Sequence, residues 1–528
     1  SPPPPLPQQQ QQQQSPPPPL SSQSKAKNFG EEQPSVSGRL VPSVSQATTI
    51  TRTDSISNGS LATMSTSTVV VSSAEKKPWY LQYDNPAQDL LLAVDGSVKG
   101  GTLPALVERL TAHDLYNTKY VQTFLLTYHT FCTTPELFEL LFNRFKIQSP
   151  PGLTTEELNE WNEMKRKPIQ LRVYNLLKQW LDQHYMGKIP GDPQALEMLQ
   201  EFCYTHLADC MVKAAEQLLQ LIERKKSSDC SFRKLIPNLP ASPQPILPRS
   251  MRKLKLLDMN PLELARQLTL IDSQLFNKIR PIECLKKAWS RPATDNSANG
   301  LNCAIAENIK AMGVMSTQLT LWVSSVILQE TDVKKRANVL RYFISIADCC
   351  RQLNNFNSVM GILGSLLSTP ISRLNRTRLA LNTRSIQLLQ DLRNLMSSDR
   401  NFSTYRTAVH SVNPPAIPFI GINRQDLTFI EDGNDDMMST HRHLINFSKC
   451  IKTADTILEI QGFQNVPYAL TSVPEIQEWL LKQLEEFLPY ADNPEPLFDK
   501  FFQVSRILEP KEREDEKFIR LLQESGFL

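Results

Sequence analysis

The densest group of side chains with metal-binding chemistry is the acidic run at residues 431–436, which reads Glu-Asp-Gly-Asn-Asp-Asp. Carboxylate and amide oxygens are the ligands that Ca²⁺ takes in proteins. The spacing of the carboxylates and the glycine does not follow the twelve-residue calcium loop, and no glutamate closes the run as a bidentate ligand. We therefore predict no calcium site here. On the residues alone, Asp432 just before Gly433 is better explained as the end of a helix.

The histidines and cysteines form no zinc or nucleophile pattern. His441 and His443 are two residues apart, so they would not share a helix face, and no thiol or carboxylate lies at zinc spacing. None of the nine cysteines forms a C-x-x-C pair, which is typical of reduced thiols inside a cell. Nucleotide-binding glycine loops are also missing from the sequence. We predict no metal, no cofactor and no covalent catalysis.

The charge balance argues against nucleic acid as a partner. Lys and Arg number 57 against 54 Asp and Glu, which leaves a net charge of +3 and no basic stripe with interleaved aromatic residues. An α-helical nucleic-acid binder is therefore the weakest alternative. No signal peptide and no apolar run near 18 residues is evident, so we expect a cytoplasmic protein without a transmembrane segment.

The elements that must position any site are predicted to be helices. Apolar residues recur at helical spacing in stripes such as Val121, Phe124, Leu125 and Tyr128. Thr133-Thr134-Pro135-Glu136 has the composition of a helix start. The prediction is an all-α protein with one helical domain at 78–226, a proline-rich linker at 227–250, a larger helical domain at 251–510 and a helical tail at 511–528.

Residues 1–77 are rich in Pro, Gln and Ser. Such a segment cannot bury enough apolar surface to offset its ordering entropy, so we predict a disordered tail. Its proline blocks leave two interpretations open: a simple tether, or a polyproline II ligand for an SH3-like domain.

Four segments of the larger domain, in order, resemble the catalytic domain of Ras-family guanine-nucleotide exchange factors of the Son-of-sevenless type. They are 261–269, 353–374, 413–434 (with Asn413-Pro414-Pro415 and Asp426-Leu427-Thr428-Phe429) and 444–468 (with Leu444-Ile445-Asn446-Phe447). Upstream, the segments 98–103 and 123–128 are similar to the N-terminal exchanger-motif domain of that family. The resemblance covers most of the chain after residue 77.

The resemblance implies that a protruding helical hairpin opens the nucleotide site of a Ras-type small GTPase. Thr428 would intrude where the GTPase holds Mg²⁺, and Asp432 would bind the phosphate-loop hydroxyl that ligates this metal. The implied catalytic residues are Leu427, Thr428, Glu431 and Asp432. The implied GTPase contacts are Val314, Leu367, Thr369, Phe402, Phe419, Gln425, Asp426, Lys449 and Lys452. The implied hairpin supports are Asn446, Gln464, Asn465 and Tyr468, of which the first three are expected to be buried hydrogen-bonding struts.

Several contact positions depart from the family pattern. Leu367 stands where the family has asparagine, and Cys450-Ile451 replaces a basic pair. The sequence therefore leaves two functions open: an exchange factor, or a pseudo-exchange module that docks a GTPase or scaffold without releasing nucleotide. Recruitment to the inner face of a membrane would fit either function, but no segment identifies the means. Ras, Rap and Ral types are not distinguished.

Overall fold

The structure is a computed structural model that describes residues 77–187, 189–227, 241–292, 304–511 and Leu522. The predicted tail at 1–77 lies outside the described residues, apart from Lys77. So do 228–240 of the predicted linker and most of the predicted C-terminal helix at 511–528. The described residues belong to one compact unit that contains both predicted helical regions. Within them the only sheet has two strands, so the all-α prediction is confirmed.

The N-terminal region begins with an antiparallel pair of short strands, β1 (Leu90–Leu92) and β2 (Val98–Gly101). Its helices are α1 (Leu103–Leu110), α2 (Thr118–Thr127), α3 (Thr134–Phe145), α4 (Thr155–Trp161), α5 (Lys167–Gln179), α6 (Asp192–Phe202), α7 (Ala208–Cys210) and α8 (Val212–Ser227). Turns of π-helix follow α4, α5 and α6, at Asn162–Arg166, Trp180–His184 and Cys203–Leu207.

The apolar stripes of this region form its core, as the helical spacing predicts. Val121, Phe124 and Leu125 of α2 are buried together with Phe138 of α3 and Trp180 after α5. The predicted helix start at Thr133 is confirmed as a capping box, because the Thr133 hydroxyl and the Glu136 carboxylate bind each other's backbone N–H.

The C-terminal region is built from the remaining helices. They are α9 (Pro261–Phe276), α10 (Glu307–Gln329), α11 (Val333–Gln352), α12 (Phe356–Leu366), α13 (Thr369–Ser372), α14 (Asn375–Leu379), α15 (Thr383–Leu395), α16 (Asp399–Ser411), α17 (Ile420–Gly433), α18 (Phe447–Phe463), α19 (Pro474–Glu485) and α20 (Glu495–Leu508). On α11 the apolar residues Val339, Phe343 and Cys350 recur at helical spacing and are buried in the large core shared by α9, α10 and α12.

Helix α10 corrects the expectation that the sequence contains no apolar run long enough to span a membrane. Its 23 residues are long and apolar enough to pass a hydropathy test for a membrane span, although the sequence was expected to contain no such run. More than half of the apolar window is buried inside the protein, and Leu319, Trp322 and Val323 lie in the large core. The hydropathy of α10 is therefore accounted for by its central position in the core.

Candidate functional site

Helices α17 and α18 form the predicted hairpin and pack against each other. The segment before α17 is fixed by two backbone hydrogen bonds, Ile417 N–H to Asn354 O and Phe356 N–H to Ile417 O, both 2.9 Å. Asn354 adopts a positive φ of 56°, and the Asn355 side chain caps α12. These asparagines therefore shape the turn that receives the hairpin, which is the ordinary structural role of such residues.

Phe419 is the N-cap residue of α17 and is half-buried. Its backbone N–H donates to the Tyr405 hydroxyl at 2.8 Å, and its ring lies against the large core. A Cβ atom at Gly421 would lie 2.4 Å from the far end of the Phe419 ring, so a larger residue there would displace the ring from its present position. The predicted GTPase contact at Phe419 therefore also helps to fix the start of α17.

One face of α17 is buried and the other is accessible. Ile420, Ile422 and Leu427 are buried, whereas Phe429 is 61% exposed. Leu427, which was predicted as a catalytic residue, is 3% exposed and lies in the same apolar cluster as Ile457 of α18, and its catalytic role stays a prediction. Leu427 holds the two helices together because its position in the helical period faces the core.

Thr428 and Asp432 lie four residues apart in one uninterrupted helix, so they share a face as predicted. The Thr428 hydroxyl donates to the Arg424 carbonyl at 2.8 Å, and the residue is half-buried. The Asp432 side chain is 56% exposed, and its carboxylate pairs with Lys287. Of the four predicted catalytic residues, Asp432 is the most accessible.

Glu431 belongs to a network of four charges at the base of the hairpin loop. Lys449 Nζ lies 3.0 Å from Glu431 and 2.7 Å from Asp436, and Lys286 Nζ lies 2.5 Å from Asp436. Burial acts to lower the pKa of Lys449, but its hydrogen bonds to Asp436 and Glu431 outweigh burial and raise it. Burial likewise acts to raise the pKa of Asp436, and the two lysines lower it.

This network includes two residues that were predicted to act on the GTPase. The Lys449 side chain is only 8% exposed and the Glu431 side chain 18%, so neither charge is readily accessible in the free protein, and their roles at the GTPase stay predictions. Both act inside the hairpin because each is neutralised by an opposite charge across it. The sequence could not separate a buried lysine from a contact lysine.

The remaining predicted contacts on the hairpin are accessible in part. Gln425 and Asp426 are half-buried, and Asp426 accepts two hydrogen bonds from Arg406, at 2.8 and 2.9 Å. Lys452 is exposed and donates to the Asn434 side chain at 2.9 Å, across the hairpin. Lys452 can therefore leave its partner at small cost, whereas Asp426 is held by a bidentate pair.

Asn446 and Gln464, two of the predicted struts, form hydrogen bonds that support the hairpin. Asn446 caps α18 and also donates to the Asp435 carbonyl at 2.9 Å. Gln464 donates to the Phe276 and Ile279 carbonyls at 2.7 and 2.9 Å, which ties the end of α18 to the end of α9. Asn465 is exposed, so its expected burial is wrong: it lies beyond the last residue of the helix.

Tyr468, the fourth predicted support, lies after α18 and is half-buried. Its hydroxyl donates to the Leu353 carbonyl at 2.7 Å. Since Leu353 ends α11, this bond joins the base of the hairpin to the large core.

The N-terminal region packs directly on α18. Phe447 lies 4.9 Å from the Tyr120 ring and 6.5 Å from the Phe124 ring, between ring centroids. Ile445 exchanges backbone hydrogen bonds with Gly101 of β2, at 2.9 and 3.2 Å. A Cβ atom at Gly100 would meet the Ile445 carbonyl oxygen at 2.7 Å, so glycine permits this approach. One side of the hairpin is thus held by the N-terminal region.

Four predicted contacts lie outside the hairpin. Val314 of α10 is half-buried, and the neighbouring Gly313 faces Arg424 of α17. Phe402 is half-buried at a kink in α16, where its φ is 58°. Leu367 and Thr369 are exposed, but Leu367 lines a separate groove with α14, α15 and α20. Val314 therefore follows a residue of α10 that faces α17, whereas Leu367 lines a groove to which no residue of α17 contributes.

Lys286, Lys287 and Phe429 were not identified as site residues from the sequence. Both lysines adopt positive φ, 50° and 52°, in a turn that directs their ammonium groups to Glu431 and Asp432 of α17. Their partners lie far along the chain, so no local pattern could reveal them. The exposure of Phe429 could have been found from the helical period of α17, since Leu427 and Ile420 define the opposite face.

Comparison with known proteins follows the same division of the chain. A family model described as the RasGEF domain matches residues 263–451, and one described as the RasGEF N-terminal motif matches residues 97–202. The chain belongs to the Ras guanine-nucleotide exchange factor family. The RasGEF domain contains α17 and the start of α18, and the RasGEF N-terminal motif contains β2 and α2, which pack on α18.

Three relatives illustrate the extent of the similarity. Cell division control protein 25 of Candida albicans is 35% identical over 449 residues, which cover 83% of this chain and 32% of the relative. Protein son of sevenless of Drosophila melanogaster is 30% identical, over 78% of this chain and 27% of the relative. Ras guanine nucleotide exchange factor A of Dictyostelium discoideum is 32% identical, over 73% of this chain and 61% of the relative. The RasGEF chain thus spans less than two thirds of each of them.

Proposed function

We propose that this protein promotes GDP release from a Ras-type small GTPase and so allows GTP to load. The observation that carries the proposal is the accessible face of α17, where Phe429 and the Asp432 carboxylate are exposed on a helix whose opposite face is fixed in the core. The family membership of the chain supports a GTPase as the partner.

The mechanism we propose needs no covalent step. Thr428 enters the region where the GTPase holds Mg²⁺, and the Asp432 carboxylate accepts a hydrogen bond from the phosphate-loop hydroxyl that would ligate the metal. The same carboxylate repels the nucleotide phosphates. In a partly dry interface each of these effects is worth about 1–3 kcal/mol, and roughly 1.4 kcal/mol changes affinity tenfold. Together they stabilise the nucleotide-free GTPase.

The rigidity of the hairpin is part of the proposal. A flexible hairpin would stabilise the nucleotide-free GTPase less than a stiff one, because part of the binding energy would be spent on deforming the hairpin. The buried network around Lys449 and the packing of Phe447 against Tyr120 support a stiff hairpin. The RasGEF N-terminal motif would therefore contribute to exchange without touching the nucleotide.

The test is release of a fluorescent GDP analogue from Ras-, Rap- and Ral-type GTPases with the full chain as catalyst. We expect at least about tenfold acceleration on one of the three types. A stable complex with that GTPase should form without nucleotide and dissociate when GDP or GTP is added. No acceleration on any type would contradict the proposal.

A second candidate function is a docking module that binds a GTPase without releasing nucleotide. It is favoured by the ion pair between Lys287 and Asp432, which occupies the carboxylate on which release depends. Binding to a GTPase with an unchanged release rate would support this candidate.

The other predicted partners rest on sequence alone. Binding of an SH3-like domain stays a prediction because the proline blocks of the tail lie outside the described residues. A cytoplasmic location and recruitment to a membrane also stay predictions.

A further inference from the structure

Arg424 lies on the same face of α17 as Thr428 and Asp432, because the three residues are spaced four apart in one uninterrupted helix. The Arg424 carbonyl accepts a hydrogen bond from the Thr428 hydroxyl at 2.8 Å, so these two residues are neighbours one turn apart. Asp432 lies a further turn on, about 12 Å from Arg424 along the helix axis. The charge of Arg424 is therefore at the opposite end of this face from the Asp432 carboxylate.

The guanidinium group of Arg424 lies between an aromatic ring and helix α10. Its Cζ atom is 5.4 Å from the centroid of the Trp289 ring, and Trp289 is buried in the same apolar cluster as Leu427. A Cβ atom at Gly313 of α10 would lie 3.1 Å from Arg424 Nη1, so glycine leaves room for the guanidinium there. A cation over a buried ring is attracted to that ring. The side chain is thus held in place before any partner binds.

Arg424 takes part in none of the ion pairs that the acids of α17 form. Those acids pair with other cations: Asp426 with Arg406, Glu431 with Lys449, and Asp432 with Lys287. Arg424 Nε is buried and has no hydrogen-bond partner among the described residues. Burial lowers the pKa of Arg424, as expected for a cation that has lost part of its hydration. The half-buried guanidinium of the free protein therefore has unused hydrogen-bonding capacity.

The chemistry of Arg424 favours a carboxylate as its ligand. A carboxylate offers two oxygens to the planar fork of N–H groups, and it replaces the hydration that burial has removed. A nucleotide phosphate offers similar oxygens. However, Asp432 is the residue that we propose for the phosphate loop, and Arg424 is two helical turns away from it. A carboxylate on the protein surface of the GTPase is therefore the anion that fits this position.

We propose that Arg424 selects the partner GTPase by binding a carboxylate side chain on its surface. The inference rests on the proposed exchange function, since the partner is the same GTPase. A GTPase with an acid at this point of contact completes the hydrogen bonds of the guanidinium. A GTPase with a neutral or basic side chain there leaves the guanidinium buried without an anion, and such a mismatch is a source of specificity.

The test compares the full parent chain with Arg424→Met and Arg424→Lys. Binding to nucleotide-free Ras-, Rap- and Ral-type GTPases is measured by titration. We expect Arg424→Met to bind the preferred GTPase at least about thirtyfold more weakly, which is the effect of truncating one partner of a buried charge pair. Arg424→Lys should bind with an affinity between those of Arg424→Met and the parent, because an ammonium group keeps the charge but lacks the planar fork.

The stability of the free variants separates this role from a structural one. Arg424→Met keeps an apolar stem against Trp289 and removes a half-buried charge, so its urea midpoint should equal or exceed that of the parent. Arg384→Met is the matched control, since Arg384 is exposed on α15, outside the hairpin. We expect this control to keep both the binding and the stability of the parent.

A urea midpoint of Arg424→Met below that of the parent would overturn the proposal, because Arg424 would then be paired within its own chain. Unchanged binding of the nucleotide-free GTPase by Arg424→Met would also overturn it. If GDP release slowed despite unchanged binding, the anion would be a nucleotide phosphate. Each of these results leaves the proposed function intact. A parent chain that binds none of the three GTPases would instead overturn the proposed function and this inference together.

Discussion

Lys287 and Asp432 are 145 residues apart in sequence and form an ion pair at the tip of α17. Lys287 adopts a left-handed backbone conformation, with φ 52° and ψ 40°, and its ammonium group reaches the carboxylate that we propose for the GTPase phosphate loop. Non-glycine residues adopt this conformation only when the surrounding structure holds them there. The free protein therefore holds Asp432, the most accessible of the four predicted catalytic residues, in a pair that the GTPase has to replace.

The first prediction concerns this pair. Lys287→Ala removes the competing cation, so Asp432 is available to the GTPase without breaking an ion pair. Because an exposed pair contributes about 0–1 kcal/mol, GDP release should become faster by up to about fivefold. Release of a fluorescent GDP analogue at 0.1 M salt measures it. Lys287→Arg is the control and should leave the rate near that of the parent. Slower release with Lys287→Ala would show that the lysine positions Asp432 instead of competing for it.

The second prediction separates Lys449 from Lys452. Lys449→Met leaves Glu431 and Asp436 with one cation between them, and because Asp436 is 55% exposed the loss of unfolding free energy should be about 1–3 kcal/mol. Lys452 is exposed, so Lys452→Met should change the free energy by less than about 0.5 kcal/mol. Urea unfolding of the two variants provides the comparison. Equal, small effects would mean that the charge network does not stabilise the hairpin.

The third prediction uses two phenylalanines on the two sides of the hairpin. Phe447→Ala leaves a cavity against Tyr120 and Phe124 and should cost about 3–5 kcal/mol. Phe429→Ala removes an exposed ring, so stability should change little while GDP release slows. Thermal unfolding and the release assay together distinguish them. A stable protein with normal release after Phe447→Ala would show that the N-terminal motif is not needed to hold the hairpin.

The fourth prediction is a loss of stability in acid caused by His129. Burial, and then the neighbouring His184, lower the pKa of His129 to about 3, whereas in the unfolded chain it is about 6.5. Below pH 6.5 the unfolded state therefore binds the proton that the folded state excludes, and the folded state loses up to about 1.4 kcal/mol per pH unit from this group. The loss ends near pH 3.

His129→Gln tests this because glutamine does not titrate. Urea unfolding of the parent and the variant should be compared at pH 7.5, 6 and 5. The stability of the parent relative to the variant should fall by about 2 kcal/mol between pH 7.5 and pH 5. A pH-independent difference between the two proteins would contradict the buried, neutral state of His129.

The helices and the core could be predicted from the spacing of apolar residues in the sequence, because both depend on residues three or four positions apart. Val339, Phe343 and Cys350 are buried for that reason, and the Thr133 capping box needs only the four residues at the helix start. The hairpin itself was predicted through family resemblance, and α17 and α18 pack against each other as a hairpin requires.

The charges of the site were predicted less well because their partners are distant in sequence. Lys449 looks like any surface lysine until Glu431 and Asp436 are seen across the hairpin. Lys287 gives no signal at all, since its role depends on a turn 145 residues before Asp432. Burial of a charged side chain is decided by tertiary packing, and helical period alone does not report it.

The most direct test of the account is GDP release with the double variant Asp432→Asn plus Thr428→Ala, measured beside complex formation with the nucleotide-free GTPase. The matched control is Asp435→Asn, which removes an exposed carboxylate three residues beyond Asp432. We expect the double variant to lose at least about tenfold in release rate while unfolding at the same urea concentration as the parent, and the control to keep the parent rate. Undiminished release by the folded double variant would contradict the proposal that the exposed face of α17 acts on the nucleotide site.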